Sequence, residues 1–260
     1  MQLINFQLSR YSFHFLVNEI FDLSEKKKTN YICVANVHMF IEAQNDLAFL
    51  KIINEADLVT PDGKPLCLAL KWLYGISQER AAGMDLLPVL LQESERKKVK
   101  VGFYGYTEEG LEVVKQKCQK LYPNLIEPLF ISPPFRTLSQ KEQEEYITQM
   151  NKAEIELLFV ALGCPKQEKW MASMKGQIQA TMIGIGGALP VFAGLQKRAP
   201  NWMQDASLEW LFRLSQEPKR LFKRYFITNS LFIYLIVKEK FKLSIFPRHK
   251  KSVLQNSRTL

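Results

Sequence analysis

VKVGFYGYTEEGLEVVKQKCQKL, residues 99–121, sets a short apolar run, Val99–Tyr104, directly before a stretch from Glu108 to Leu121 in which apolar residues return every three or four positions. The first half reads as a strand buried on both faces and the second as an amphipathic helix laid over it. The same pairing recurs in both directions along the chain. Strands are read at Tyr31–Ala35, Asp57–Val59, Leu125–Phe130, Ile155–Ala161 and Thr181–Ile185, and helices at Val37–Phe49, Pro65–Tyr74, Asp85–Glu95, Ser139–Asn151 and Lys166–Met174. Strands alternating with covering helices predict an α/β fold, a Rossmann-like, mostly parallel sheet flanked by helices. After Ala199–Pro200 the strands cease and the sequence turns helical, basic and aromatic. Because the residue before a proline resists helical geometry, a boundary is drawn at Glu217–Pro218, giving a core of residues 1–217 and a C-terminal appendage of residues 218–260.

Charge is the informative part of the composition. The chain of 260 residues carries a net charge of +9, and residues 196–260 hold 14 Lys and Arg against 4 Asp and Glu, so the rest is close to neutral. A local excess of this kind marks a surface that meets phosphate, whether in nucleic acid, anionic lipid or a diphosphate substrate. Cys33, Cys67, Cys118 and Cys164 are widely spaced, without a CxxC or CxxH neighbour, and read as buried free thiols rather than zinc ligands. MQLINFQLSR lacks the basic and apolar segments of a signal peptide, which predicts a cytoplasmic location. The apolar segment Tyr225–Val237 has only 13 residues, short of the ~20 a spanning helix needs.

In an open α/β sheet, ligands bind beyond the carboxyl ends of the strands, and five unusual segments fall there. VANVHMFIEA (34–43) places Asn36 and His38 at a helix start, where Asn36 can cap and His38 can face the surface. ADLVTPDGKPL (56–66) carries Asp62 at a strand end, either turn chemistry or the seat of a general base. FYGYTEEG (103–110) has Gly105 and Tyr106 before a helix whose first turn is completed by its own Glu108 and Glu109. ALGCPKQEKW (161–170) puts Lys166 at a helix start, electrostatically misplaced unless a ligand sits there, with Gln167 and Glu168 beside it. The last runs from Gly184 to Tyr225. Its Gly184, Gly186 and Gly187 lack the third glycine and the distant acid of a dinucleotide fingerprint, so a nicotinamide enzyme fits poorly. Arg213, Arg220 and Arg224 follow at spacings of seven and four, one helical face suited to a diphosphate.

Together, PDGKPL, GMDLLP, GCPKQEKW and GGALPVFAG followed by RAPNWMQ, LEWLFRL and EPKRLFKRY resemble, in order and spacing, the WecG/TagA/CpsF family of glycosyltransferases. The resemblance implies transfer of a sugar, of N-acetylmannosamine type or another hexose, from a UDP-sugar donor to an undecaprenyl-diphosphate-linked saccharide in cell-surface polysaccharide synthesis, with inversion. It implies that Asp62 deprotonates the acceptor hydroxyl, with Asn36 and Arg80 at the reacting centre. Gly105, Tyr106, Lys166, Gln167, Glu168, Gly186 and Gly187 would surround the nucleotide-sugar. Arg213, Arg220 and Arg224 would neutralise a diphosphate in place of magnesium, so neither a metal nor another cofactor is expected. Val34 stands where the family has threonine and Pro190 where it has an acid, while Asp85 reads as a helix cap.

Beyond Tyr225, Phe226, Leu231, Phe232, Tyr234, Leu235, Phe241 and Phe246 are interleaved with Lys238, Lys240, Lys242, Arg248, Lys250 and Lys251. This composition suits a helix lying in an anionic membrane interface, hence peripheral attachment at the inner face of the cell membrane. A homo-oligomer is left open and no nucleic-acid partner is expected. The alternatives are a non-catalytic relative or a nucleic-acid-binding α/β protein with a basic tail.

Overall fold

The computed structural model describes residues 1–26 and 28–245. The chain opens with an antiparallel pair, β1 (Gln2–Leu3) and β2 (Phe6–Gln7), that buries Leu3 and Phe6 completely. Helix α1 (Phe13–Glu25) follows, its start closed by the Ser12 hydroxyl, which accepts the Phe15 amide at 3.3 Å. The main sheet begins with β3 (Asn30–Ala35). The single helix expected over Val37–Phe49 is two, α2 (Val37–Asn45) and α3 (Leu47–Asn54). Asp46 breaks it: its backbone is extended and its carboxylate accepts the amides of Ala48 and Phe49, both at 3.0 Å, starting a second helix where the apolar pattern runs straight through.

There follow β4 (Leu58–Pro61), α4 (Lys64–Tyr74), α5 (Gly83–Lys97), β5 (Val101–Gly105), α6 (Glu108–Leu121), β6 (Leu129–Ile131), α7 (Gln140–Lys152), β7 (Leu157–Ala161), α8 (Lys166–Ser173), β8 (Thr181–Gly184) and α9 (Ala188–Ala193). Most strands shift by a residue or two from the expected bounds, as β5 and β7 do by starting after Val99 and Ile155, and at β4 and β6 the cause is visible. The run at Asp57–Val59 becomes β4, because the Asp57 carboxylate is occupied by the Tyr31 amide at 2.9 Å just ahead of the ladder. Leu125–Phe130 contracts to the three residues of the edge strand β6, which starts only after Pro128, a residue with no amide to donate.

Six parallel strands form the sheet in the order β4-β3-β8-β7-β5-β6. Alternate residues feed two cores: Tyr31, Cys33, Leu158, Val160 and Met182 pack on one face, while Ile32, Val34, Leu157, Phe159 and Ile183 pack on the other. Burial on both faces is why these strands are apolar throughout. All strands point the same way, so every following turn gathers at one edge.

Three helices close the described chain: α10 (Asn201–Asp205), α11 (Glu209–Gln216) and α12 (Pro218–Ile245). Helix α12 lies against α2 and α4. It buries Leu221, Thr228, Phe232, Ile236 and Leu243, a stripe at helical spacing. This corrects the reading of Phe232 and Leu235 as interface residues: Phe232 meets the Phe40 ring edge-on at 5.4 Å and Leu235 packs against the same core. Phe226, Tyr234 and Phe241 are exposed. Phe246, Arg248, Lys250 and Lys251 lie outside the described residues. No described helix is long and apolar enough to cross a membrane.

Candidate active site

Over the carboxyl edge of the sheet, the turns after β3, β4, β7 and β8 and one side of α11 and α12 enclose an open cavity of about 530 Å³. The chain leaves β3 toward β4 on one flank and β5 toward β6 on the other, the arrangement that opens a crevice in α/β sheets. Of the thirteen residues named from sequence, nine line this cavity: Asn36, Asp62, Tyr106, Gln167, Gly186, Gly187, Arg213, Arg220 and Arg224.

Asp62 follows the edge strand β4. Its amide donates to the Ala35 carbonyl at 2.7 Å, and its Oδ1 accepts the Gly83 amide at 3.2 Å, which fixes the carboxylate in the wall. Burial pushes its pKa up to about 6, reinforced by the Glu209 carboxylate and opposed by Arg80, the Gly83 amide and Arg213. The result is a carboxylate ionised at neutral pH yet more basic than usual, the state suited to taking a proton. Asn36 caps α2, its side-chain oxygen accepting the Met39 amide at 3.1 Å, and also faces the cavity.

The glycines after β8 make room for side chains. A Cβ on Gly184 would stand 2.8 Å from Gln167 Nε2, and one on Gly187 would stand 2.8 Å from Arg213 Nη2. Gln167 therefore packs closely on Gly184 and Gly186, and the Arg213 guanidinium on Gly187. Gln167 Oε1 accepts the Gly163 amide at 3.2 Å and its Nε2 donates to Glu168 at 2.6 Å, so the amide is held in one orientation. Tyr106 has a left-handed backbone, φ 69°; Ser132 donates to its carbonyl at 2.9 Å and Gly110 leaves space for its ring.

The arginine stripe takes a different form from the one expected. Arg213 sits on α11 and Arg220 and Arg224 on α12, because Glu217, ahead of Pro218, leaves helical geometry at φ −134°, ψ 60°. Two helices, not one face, bring the three guanidiniums to the same cavity.

Four expected residues lie outside its wall. Gly105 is needed where β5 and β7 converge: at φ +104° an added Cβ would meet Ala161 backbone atoms at 2.8 Å. Lys166 is exposed at the start of α8 and does not line the cavity. Glu168 is fully buried behind Gln167, its pKa pushed up to about 7 by burial against the opposing bonds from Gln167 and Cys164. Arg80 pairs with Glu209 and, at 2.9 Å, with Asp85, and reaches Asp62 through its charge. Asp85 is not a cap. Ala82 occupies the N-cap of α5, and Asp85 instead holds Arg80 and Arg198.

Glu209, missed in the sequence, lines the cavity, ties α11 to Arg80 and bears on Asp62. Its signal was the spacing of four from Arg213. His38 and Cys164 also turn into the wall; all four cysteines are free, with Cys33 and Cys118 buried and Cys67 and Cys164 half-buried. Among the described residues, no three His, Cys, Asp or Glu side chains are gathered as a metal site.

The sequence pattern of the WecG/TagA/CpsF glycosyltransferase family matches residues 1–245. The N-acetylglucosaminyldiphosphoundecaprenol N-acetyl-beta-D-mannosaminyltransferase of Bacillus subtilis strain 168 is 30% identical over 224 residues, covering 85% of this chain and 84% of the relative. The enzyme of the same name from Staphylococcus aureus strain MW2 is 29% identical over 231 residues, 88% of each chain.

Proposed function

Since the chain belongs to the WecG/TagA/CpsF family of glycosyltransferases, we propose that it transfers an N-acetylhexosaminyl group, N-acetylmannosamine foremost, from a UDP-sugar to undecaprenyl-diphosphate-linked N-acetylglucosamine during cell-surface polysaccharide synthesis. The names of its relatives support the acceptor and the sugar. The observation that carries the reading is a carboxylate of raised basicity, Asp62, sharing one cavity with three guanidiniums on two C-terminal helices.

In the proposed step the acceptor hydroxyl oxygen bonds to the anomeric carbon as the bond from that carbon to the phosphate oxygen breaks. The hydroxyl proton passes to Asp62, and UDP leaves with the bonding pair. A single displacement inverts the anomeric centre. Base catalysis of this kind contributes on the order of 10²–10⁴ in rate, and donors aimed at the departing charge contribute comparably, about 10²–10³ for each one removed. Arg213, Arg220 and Arg224 are assigned that second role in place of a divalent cation, and no cofactor is assigned. Attachment is assigned to the exposed aromatic and basic side of α12, at the inner face of the membrane.

Purified enzyme with an undecaprenyl-diphosphate or shorter polyprenyl-diphosphate N-acetylglucosamine acceptor is the test. UDP release is expected from UDP-N-acetylmannosamine without added divalent metal, with a panel of other UDP-hexoses fixing the donor. Asp62→Asn should still bind UDP while turning over far more slowly. Unchanged turnover in that variant would rule out the assigned base.

A further inference from the structure

Two buried polar atoms in the cavity wall lack hydrogen-bond partners and belong to neighbouring helices: Nδ1 of His38 in the first turn of α2, and Nε of Arg224 on α12. Glu42, one turn along α2, approaches His38 Nδ1 only to 3.7 Å, beyond a hydrogen bond, and its own side chain is exposed. A buried polar atom left unmet is unfavourable unless a ligand meets it. The charges that reach the imidazole come from both helices packed there. Arg224 on α12 disfavours a second positive charge and Glu42 on α2 favours one. Arg220 of α12 and Cys164 of the turn after β7 share the wall, the thiol kept neutral by burial.

We infer that His38 and Arg224 form one phosphate subsite, in which the imidazole gains a proton as a diphosphate oxygen seats between ring and guanidinium. Without a ligand, burial first and Arg224 second hold the His38 pKa below its usual value, so the ring is neutral at pH 7. A diphosphate anion reverses both influences. It satisfies the two orphaned atoms and supplies the negative charge that makes an imidazolium favourable. Unlike the permanently charged Arg213 and Arg220, His38 makes the grip on the diphosphate depend on pH. The inference rests on the cavity being the nucleotide-sugar site, and the ligand is either the donor's diphosphate or that of the lipid acceptor.

Calorimetric titration of the full chain at pH 7 with UDP and, separately, with farnesyl diphosphate, each in PIPES and in Tris, reads the protons taken up on binding. A fractional proton uptake is expected for one ligand, which identifies the source. His38→Gln should abolish that uptake and weaken that ligand about fivefold to twentyfold, the scale of one charge-assisted hydrogen bond. The gap should narrow at pH 9, where the imidazolium is no longer favoured. Binding of both ligands by wild type with no proton uptake, or with uptake unchanged in His38→Gln, would overturn the subsite while leaving the proposed function standing. Failure of wild type to bind either ligand would overturn both. A circular-dichroism melt of His38→Gln separates loss of the subsite from loss of the fold, and Arg224→Lys, which keeps the charge and removes Nε, should weaken the ligand that shows proton uptake.

Discussion

Asp62 is held by one amide and sits between two arginines and one carboxylate, so its proton affinity is a balance that single substitutions tip in known directions. With Asp62 as base, kcat/KM should climb as pH rises through about 6, where the carboxyl ionises. Arg213→Gln removes a charge that favours ionisation and should move that limb to higher pH; Glu209→Gln removes the opposing carboxylate and should move it lower. A pH–rate profile of each variant decides this. The same shift bears on stability. A carboxyl raised in the folded state stabilises the protein at pH below about 4, and that contribution is lost as pH rises through 6. Asp62→Asn should therefore raise stability by about 1–3 kcal/mol at pH 7.5 and by little at pH 4, read as melting temperatures, while lowering turnover roughly 10²–10⁴-fold. Gly187→Ala probes the neighbouring arginine without touching its charge. Gly187 has φ −69°, so alanine fits the backbone, but its Cβ would press on the Arg213 guanidinium. Turnover should fall about tenfold or more, through misplacement of the charge, with a melting temperature close to wild type.

At the scale of the element, α12 has two faces with different work. Phe232 is 7% exposed against Phe40, whereas Phe226 is 68% exposed and stacks on Phe222 of its own helix. Phe232→Ala should cost about 3–4 kcal/mol in chemical denaturation. Phe226→Ala should leave the denaturation curve in place and weaken sedimentation with phosphatidylglycerol vesicles. The two faces also show what the sequence could and could not reveal. The sheet was legible because strands such as Leu157–Ala161 are covered on both sides and so carry unbroken apolar runs. Asp62 was legible because a PDG turn after a buried strand falls at the ligand edge. Helix continuity was not: spacing arguments carried Val37–Phe49 through Asp46 and the arginine stripe through Glu217, although one side-chain cap and one proline divide those segments. Inside and outside along one motif were not legible either. Lys166, Gln167 and Glu168 are consecutive, yet the first is solvated, the second lines the cavity and the third is sealed behind it. In α12 every hydrophobic residue reads as membrane-seeking until the helix is seen to lie on α2 and α4.

Across the whole molecule charge is segregated, with residues 196–260 carrying 14 Lys and Arg against 4 Asp and Glu while the remainder is close to neutral. The exposed part of this excess and the arginines of the cavity should answer differently to salt. Exposed lysines such as Lys242 of α12, set beside Phe241, act through solvent, where the Debye length is about 8 Å at physiological ionic strength and about 3 Å at 1 M. At ~1 kcal/mol for each basic residue near an anionic leaflet, a handful suffices for attachment at low salt and too few act at high salt to keep it. Arg213 and Arg224, set into the cavity wall, are shielded from solvent ions to a greater degree. Raising NaCl from 0.1 to 0.5 M should therefore release the enzyme from phosphatidylglycerol vesicles and raise the apparent KM for a vesicle-borne acceptor by an order of magnitude or more. The KM for the UDP-sugar, measured with a short water-soluble acceptor, should rise several-fold less. Neutral phosphatidylcholine vesicles should recruit little protein at either salt. Retention on those neutral vesicles would mean that the apolar side of α12 anchors the chain without help from charge. Polynucleotide that displaced UDP from the cavity would instead assign the basic surface to nucleic acid.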